Sequence, residues 1–255
     1  MNALTRPKAL LLDFGGVIVR STKPTGWQEL VADEIARLID ADLLPDRVRI
    51  LADISAGSTA AALWRNAMSR PRHPVELDQE TFVLDFIAAD WPDAARAALA
   101  PHVPAISYAL SSAKEHRTLL DGIEELLSWC QATGIPVAVV SNASSGAVHR
   151  DYLAAAGLSD YFAAEIYSDE VGLRKPNPDI ILLGCAAVRV LAADCWYVGD
   201  HLDRDVLCGV RAGVGANVLI PGTNPATRPF AVPVSADLIV GSPRELLHIL
   251  EKTDA

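Results

Sequence analysis

Lys8-Ala-Leu-Leu-Leu-Asp13-Phe14-Gly15-Gly16 runs through unbroken apolar residues to a single carboxylate and then turns on two glycines. An apolar run this short, with no polar alternation, has both faces covered, as in a central strand of a parallel sheet. Such a strand delivers Asp13 to its carboxyl end. The rest of the chain either repeats this pattern or interrupts it.

The repeats follow residue 117. Pro136–Val140, Phe162–Tyr167, Cys195–Val198, Ala216–Ile220 and Leu238–Val240 read as strands. Between and after them, Asp121–Ala132, Ala147–Ala156, Pro178–Leu191, Arg204–Ala212 and Pro243–Glu251 read as helices, three of them stopped by Gly134, Gly157 and Gly213. Strands alternating with helices of this length predict an α/β fold, a doubly wound parallel sheet that binds ligands beyond the carboxyl ends of its strands. The interruption is Ser21–His116. It has no β-rich run, its Ala, Leu, Glu and Arg recur at helical spacing, and prolines divide it. Trp27–Ile39, Ser58–Met68, Gln79–Ala89 and Asp93–Leu99 read as helices, in a block of four short helices or more. The expected organisation is therefore a core domain, residues 1–20 and 117–255, with an inserted all-α domain, residues 21–116. Pro221–Pro233, rich in Pro and Thr, reads as a surface loop.

Composition narrows the function classes. The chain has 255 residues, 51% hydrophobic and 21% charged, which excludes disorder and a disulfide-stapled miniature fold. The formal net charge is −10 and no dense Lys/Arg stripe occurs, which argues against a nucleic-acid partner. The apolar runs are strand-sized, far short of the ~20 residues of a membrane-spanning helix. Met1–Lys8 lacks an export-signal layout. Cys130, Cys185, Cys195 and Cys208 form no CxxC pair and read as buried free thiols. The expectation is a cytoplasmic protein; oligomeric state leaves no sign in the sequence.

Four polar positions stand where the topology would gather them on one rim: Asp13, Ser141-Asn142, Lys175-Pro176, and Asp200 within Gly199-Asp200-His201-Leu202-Asp203-Arg204-Asp205. Any one of them reads as a helix cap; their convergence does not. In this order, the four motifs resemble those of the haloacid dehalogenase-like hydrolase superfamily, in the branch with a helical cap after the first strand. Gly172-Leu173-Arg174-Lys175-Pro176-Asn177-Pro178 and Val198-Gly199-Asp200 through Asp205 to Gly213 carry most of the likeness, which spans the whole chain.

The resemblance implies a Rossmann-like core and a Mg²⁺-dependent phosphomonoester hydrolase acting on a small phosphorylated metabolite. Asp13 would be the nucleophile, forming an aspartyl-phosphate. Mg²⁺ would lie among Asp13, the Gly15 carbonyl and Asp200, a hard-donor set suited to it. Asp205 would hold the outer shell of the metal or pair with Lys175. Lys175 would neutralise charge at the transition state, and the Ser141 hydroxyl with the Asn142 and Gly16 N–H groups would hold phosphoryl oxygens.

Position 15 departs from the family. Most phosphatases of this kind carry there an Asp that protonates the leaving oxygen and then activates water; this chain has Gly15. Such acid–base help is typically worth ~10²–10⁴-fold. Three consequences are open: substrates with good leaving groups, a substitute such as His201 or a cap residue, or loss of turnover, leaving a ligand-binding or interaction protein. Dehalogenases and phosphonatases also lack this Asp, but their first motif differs from Gly15-Gly16-Val17. Asp203 is expected to cap the helix that begins at Arg204. Trp27, Trp64 and Trp91 are expected in the core of the insert, with a pocket-lining role the alternative. Arg20, Lys23 and Arg65 are expected on a solvated surface, with contact to a substrate's distal charge the alternative.

Overall fold

A computed structural model describes residues 4–222 and 231–253. Six parallel strands form the main sheet in the order β5-β4-β1-β6-β7-β8, with β1 (Ala9–Leu12), β4 (Val137–Ser141), β5 (Phe162–Tyr167), β6 (Cys195–Gly199), β7 (Ala216–Leu219) and β8 (Leu238–Ile239). All six were expected from the sequence. β1 is central, with Leu10 opposite Val137 on one side and Trp196 on the other. Its alternate residues serve opposite layers. Leu10 and Leu12 pack with α5 (Ile123–Thr133) and α10 (Pro243–Lys252), while Ala9 and Leu11 pack with α8 (Pro178–Val188). Burying such a leucine contributes about 1.5–3 kcal/mol, so the run pins the strand between the two layers.

The helices end where local chemistry stops them. Gly134 and Gly213, at φ 73° and 72°, close α5 and α9 (Leu207–Ala212) in the left-handed conformation that glycine adopts without strain. Asn177 caps α8 by accepting from the Asp179 N–H, with Pro178 in the first turn. Arg189, at φ 59°, ends that helix short of the predicted Leu191. The Ser242 hydroxyl caps α10 through the Glu245 N–H.

The insert is helical, with α1 (Trp27–Leu38), α2 (Arg47–Ala67), a wide-turn segment Thr81–Ile87, α3 (Asp93–Leu99) and α4 (Val103–Ala113). They enclose an apolar cluster of their own that includes Trp27, Ile35, Ile54, Phe82, Trp91 and Ile106. Trp27 and Trp91 are buried and Trp64 packs at the cluster's edge, as expected for core residues. α2 begins well before the predicted Ser58. Within it Gly57 is a packing device, because a Cβ there would overlap the backbone of Phe86 in the neighbouring segment. α4 was not foreseen.

Two features join insert and core. β2 (Val19–Thr22) and β3 (His116–Leu119) pair antiparallel as a ribbon that leaves and re-enters the core, so β structure reaches into both ends of the segment read as all-α. Val75 also bridges Leu173 antiparallel, and Glu76 N–H donates to the Gly172 carbonyl. Beside that bridge the buried Glu76 carboxylate meets Arg174 at 2.5 Å and accepts from Ser168 Oγ at 2.6 Å. The insert is thereby tied to the loop that holds Lys175. No helix among the described residues is long and apolar enough to cross a membrane, and all four cysteines are buried and free. Residues 223–230 of the expected Pro/Thr-rich loop lie outside the described residues.

Candidate active site

Because β1 lies between β4 and β6, the ends of these three strands are neighbours, and they carry Asp13, Ser141 and Asp200. Their side chains line one cavity of about 440 Å³, with Gly15, Gly16, Asn142, Lys175, His201 and Asp205 in the same wall. The sequence-predicted residues therefore meet.

Lys175 organises the centre. It is 2% exposed, and its ammonium lies 2.8 Å from Asp13 Oδ1, 2.6 Å from Asp205 Oδ1 and 2.8 Å from the Tyr197 hydroxyl. The ammonium donates to Tyr197 and Asp205 and forms an ion pair with Asp13. Burial alone would push this ammonium down, but Asp13 and Asp205 outweigh it and hold the group above its ordinary range. Lys175 does not follow a strand end directly. The short helix α7 (Ser168–Val171) intervenes after β5. The lysine is set instead by Asn142, whose Oδ1 accepts from the Lys175 N–H at 2.8 Å and whose Nδ2 donates to its carbonyl at 3.3 Å.

The two carboxylates facing Lys175 differ. Asp205 is fully committed, since Oδ1 takes Lys175 and Tyr197 while Oδ2 accepts from the Asp200 and His201 N–H groups at 3.2 and 2.9 Å. Burial opposes its charge, yet Lys175, His201 and these donors hold its carboxyl at about 2. Of the two expectations for Asp205, pairing with Lys175 is what the geometry shows. Asp13 is raised: burial outweighs Lys175, and the charge of Asp205 adds to the rise, while the Ser141 hydroxyl bonds the ionised form. Asp200, pushed up to about 6 mainly by burial, has its Oδ1 against His201 Nδ1. Asp200, His201 and Asp205 form a group close enough to hold a cation. Asp13 and Asp200 bring carboxylate oxygens to the same cavity, the hard donors that a divalent ion takes. The donor set therefore fits such an ion.

The glycines make this spacing possible. A Cβ at Gly199 would overlap the Asp205 side chain, and one at Gly16, which has φ +76°, would overlap Asp200. Gly15 is different, since a Cβ there would meet nothing within 4 Å. The missing side chain leaves open space at the reacting end of β1.

Three expectations need correction. The Gly16 N–H donates to the Val19 carbonyl at 2.8 Å, so the tight turn uses it and a phosphoryl oxygen does not find it free. Asp203 does not cap a helix: it is buried inside a wide-turn segment, Leu202–Val206, and the capping position belongs to His201. Arg65 is not a solvated surface group. It is largely buried beside Phe82, with its guanidinium 3.8 Å from Glu76. Arg20 and Lys23 are exposed as expected, and Arg20 also lines the active cavity.

Two residues of the site were missed by sequence reading. Tyr197 looked like a strand core residue, and only its hydroxyl, reaching Lys175 and the Val140 carbonyl at 3.2 Å, shows otherwise. His149 was given no role. Its ring stacks on Phe14 at 4.0 Å and lines the cavity, and burial pushes it down to about 3, so it stands as a neutral aromatic wall. A helix-face histidine gives no such signal.

Residues 7–213 match the model of the haloacid dehalogenase-like hydrolases, which cover most of the chain. The chain belongs to this family. Among curated relatives, the phosphoserine phosphatase of Thermus thermophilus is 32% identical over 123 residues, 48% of this chain and 47% of that protein. The N-acetylmuramic acid 6-phosphate phosphatase of Pseudomonas aeruginosa is 30% identical over 148 residues, 54% of this chain and 62% of that protein. The chain thus spans about half the length of the curated relatives it matches. Among solved structures, CbbY from Rhodobacter sphaeroides, in complex with phosphate, aligns with a TM-score of 0.59 at 20% identity, covering 96% of this chain and 99% of that one. The HAD-hydrolase YfnB from Bacillus subtilis, bound to magnesium, aligns at 0.60 and 19%, again covering 96% and 99%. These structures share the fold.

Proposed function

We propose that this haloacid dehalogenase-like hydrolase is a phosphomonoesterase that acts on a small phosphorylated metabolite through an aspartyl-phosphate at Asp13. The carrying observation is the Asp13 carboxylate at the mouth of the central strand, held at 2.8 Å by a buried Lys175 and facing an open cavity. The phosphatases named above support the substrate class.

In the first step an Asp13 oxygen bonds phosphorus while the bond to the leaving oxygen breaks, and that oxygen departs with the electron pair. In the second, water attacks phosphorus, the Asp13–phosphorus bond breaks and inorganic phosphate leaves. Lys175 offsets the charge that builds on the phosphoryl oxygens, and Ser141 with the Asn142 N–H orients them. Mg²⁺ held by Asp13, the Gly15 carbonyl and Asp200, with Asp205 behind them, would supply further charge neutralisation. No side chain at position 15 protonates the leaving oxygen, so the reading favours leaving groups that depart unaided, such as a sugar 1-phosphate or an acyl phosphate. Residues 21–116 act as a cap that closes the site from water, over a core of residues 1–20 and 117–255. A cytoplasmic metabolite pool suits this substrate class.

A second reading, a phosphate-ligand binding protein without turnover, rests on Gly15 alone. Phosphate release from sugar, nucleotide and acyl phosphates, with and without Mg²⁺, separates the two. The hydrolase reading expects Mg²⁺-dependent release that Asp13→Asn abolishes in a folded protein, with rates falling as the leaving group's pKa rises. Release that survives Asp13→Asn would overturn it, and silence across the panel would favour the binding reading.

A further inference from the structure

A second cavity, of about 540 Å³, lies in the helical insert, with Trp27, Gln28, Ser58, Thr59, Arg65 and Lys114 in its wall. It adjoins the active cavity. Ser21 and Glu115 line both, and Ser21 Oγ donates to Glu115 Oε2 at 3.1 Å where the two meet.

Its charges are unbalanced. The Lys114 ammonium lies 4.7 Å from the Trp27 ring centre and 5.2 Å from that of Phe82, and among the described residues no carboxylate lies within ion-pair distance of it. Arg65 reaches only Glu76, at 3.8 Å, and that carboxylate is already bound more closely by Arg174 at 2.5 Å. Lys23, also in the wall, lies 5.3 Å from the Trp27 ring centre. The carboxylate at the junction, Glu115, is taken by Arg117 at 2.9 Å. Ser58 Oγ is buried with no hydrogen-bond partner among the described residues. Burial, reinforced by Arg65 and Lys23 and opposed by Glu115, pushes the Lys114 ammonium down to about 7. Three cations and an unsatisfied hydroxyl facing one cavity describe a receptor for an anion.

We propose that this cavity receives a second anionic group, a carboxylate or a phosphate, of the same substrate whose phosphoryl group reacts at Asp13. The inference rests on the phosphomonoesterase reading for the reacting end, and it names the chemistry of the other end. Lys114 and Arg65 hold the anion, Lys23 attracts it from the rim, and Ser58 and Thr59 meet hydroxyls along the substrate.

The test uses probes matched except at the distal end. Sorbitol 6-phosphate and 6-phosphogluconate differ by a carboxylate; fructose 6-phosphate and fructose 1,6-bisphosphate differ by a phosphate. Binding is measured by titration calorimetry on the full chain carrying Asp13→Asn, so turnover does not enter. In at least one pair the doubly charged probe should bind about tenfold or more tightly, the range of one or two charge-assisted hydrogen bonds. The pair that discriminates identifies the anion. Adding Lys114→Met, which keeps an unbranched apolar stem between the rings, should remove most of that preference. Exposed Lys23→Met, a second variant that leaves the packing alone, should reduce it. The preference should also shrink between about pH 6 and about pH 9 as Lys114 loses its proton, with Lys23, Arg65 and Glu115 the charged groups facing it. Equal affinities within both pairs, or a preference untouched by Lys114→Met in a folded protein, would overturn the proposal. If the wild-type chain releases no phosphate and yet discriminates in this way, the hydrolase reading fails while the anion site stands.

Discussion

Lys175 and Lys114 are the same residue type, one buried and one half-buried, in opposite company. Lys175 lies among Asp13, Asp205 and Tyr197, paired with both carboxylates and hydrogen-bonded to the hydroxyl. Lys114 lies between Trp27 and Phe82 with two further cations near it. Burial opposes both charges; carboxylates reverse that at Lys175, and nothing does at Lys114. A buried cation supplied with counter-ions belongs to built machinery. One left without them holds a place for a charge that arrives with the ligand.

The largest expected effect breaks the first half of that contrast. Lys175→Met leaves Asp13 and Asp205 facing each other across a buried gap. Removing one partner of such a pair costs about 3–5 kcal/mol, read by denaturant unfolding. Phosphate release in the same variant should fall by at least about 10³-fold. Wild-type stability would show that the carboxylates are not held by the lysine.

Next comes the empty place beside this cluster. Gly15 has no positive φ and open space around it, so Gly15→Asp should fold without strain. On poor leaving groups it should raise the rate by about 10²–10⁴-fold, with little gain on good ones, in a series of aryl and alkyl phosphates. A uniform change across the series would mean that an acid already acts from elsewhere.

The smallest effect belongs to Lys114 and has the opposite sign from that at Lys175. Its ammonium is depressed in the folded state, so between about 7 and its ordinary 10.5 the unfolded chain binds the extra proton and stability rises with pH. The penalty is complete below about pH 7. Lys114→Met should therefore stabilise the free protein there, by about 2–4 °C in Tm for each kcal/mol relieved, and the advantage should fade toward pH 10.5. A variant less stable than wild type at neutral pH would show that the cation–π contacts outweigh the burial.

The contrast also explains what the chain revealed before its structure. Leu10–Leu12 and Val137–Val140 could be placed because a continuous apolar run has few ways to be buried, and strand ends then locate Asp13, Ser141 and Asp200 without further information. Tyr197 was hidden by the same logic: on a fully buried strand an aromatic reads as core, and its hydroxyl matters only once Lys175 arrives from a distant loop. β2 and β3 were hidden because Val19-Arg-Ser-Thr22 and His116-Arg-Thr-Leu119 are short and largely polar, and each is stabilised by the other across the whole insert. Lys114 was illegible for the deepest reason: its surroundings come from α1 and Thr81–Ile87, and only the fold sets an ordinary helix-end lysine half-buried between two rings.

A covalent bond at Asp13 is the central event of the proposed reaction. With no side chain at position 15 to activate water, the aspartyl-phosphate should accumulate during turnover. Acid quenching followed by borohydride reduction would convert it to homoserine, and peptide mass spectrometry would locate the change. Homoserine is expected at position 13 only when substrate is present. Phosphate release with Asp13 unmodified, or modification of another residue, would contradict it.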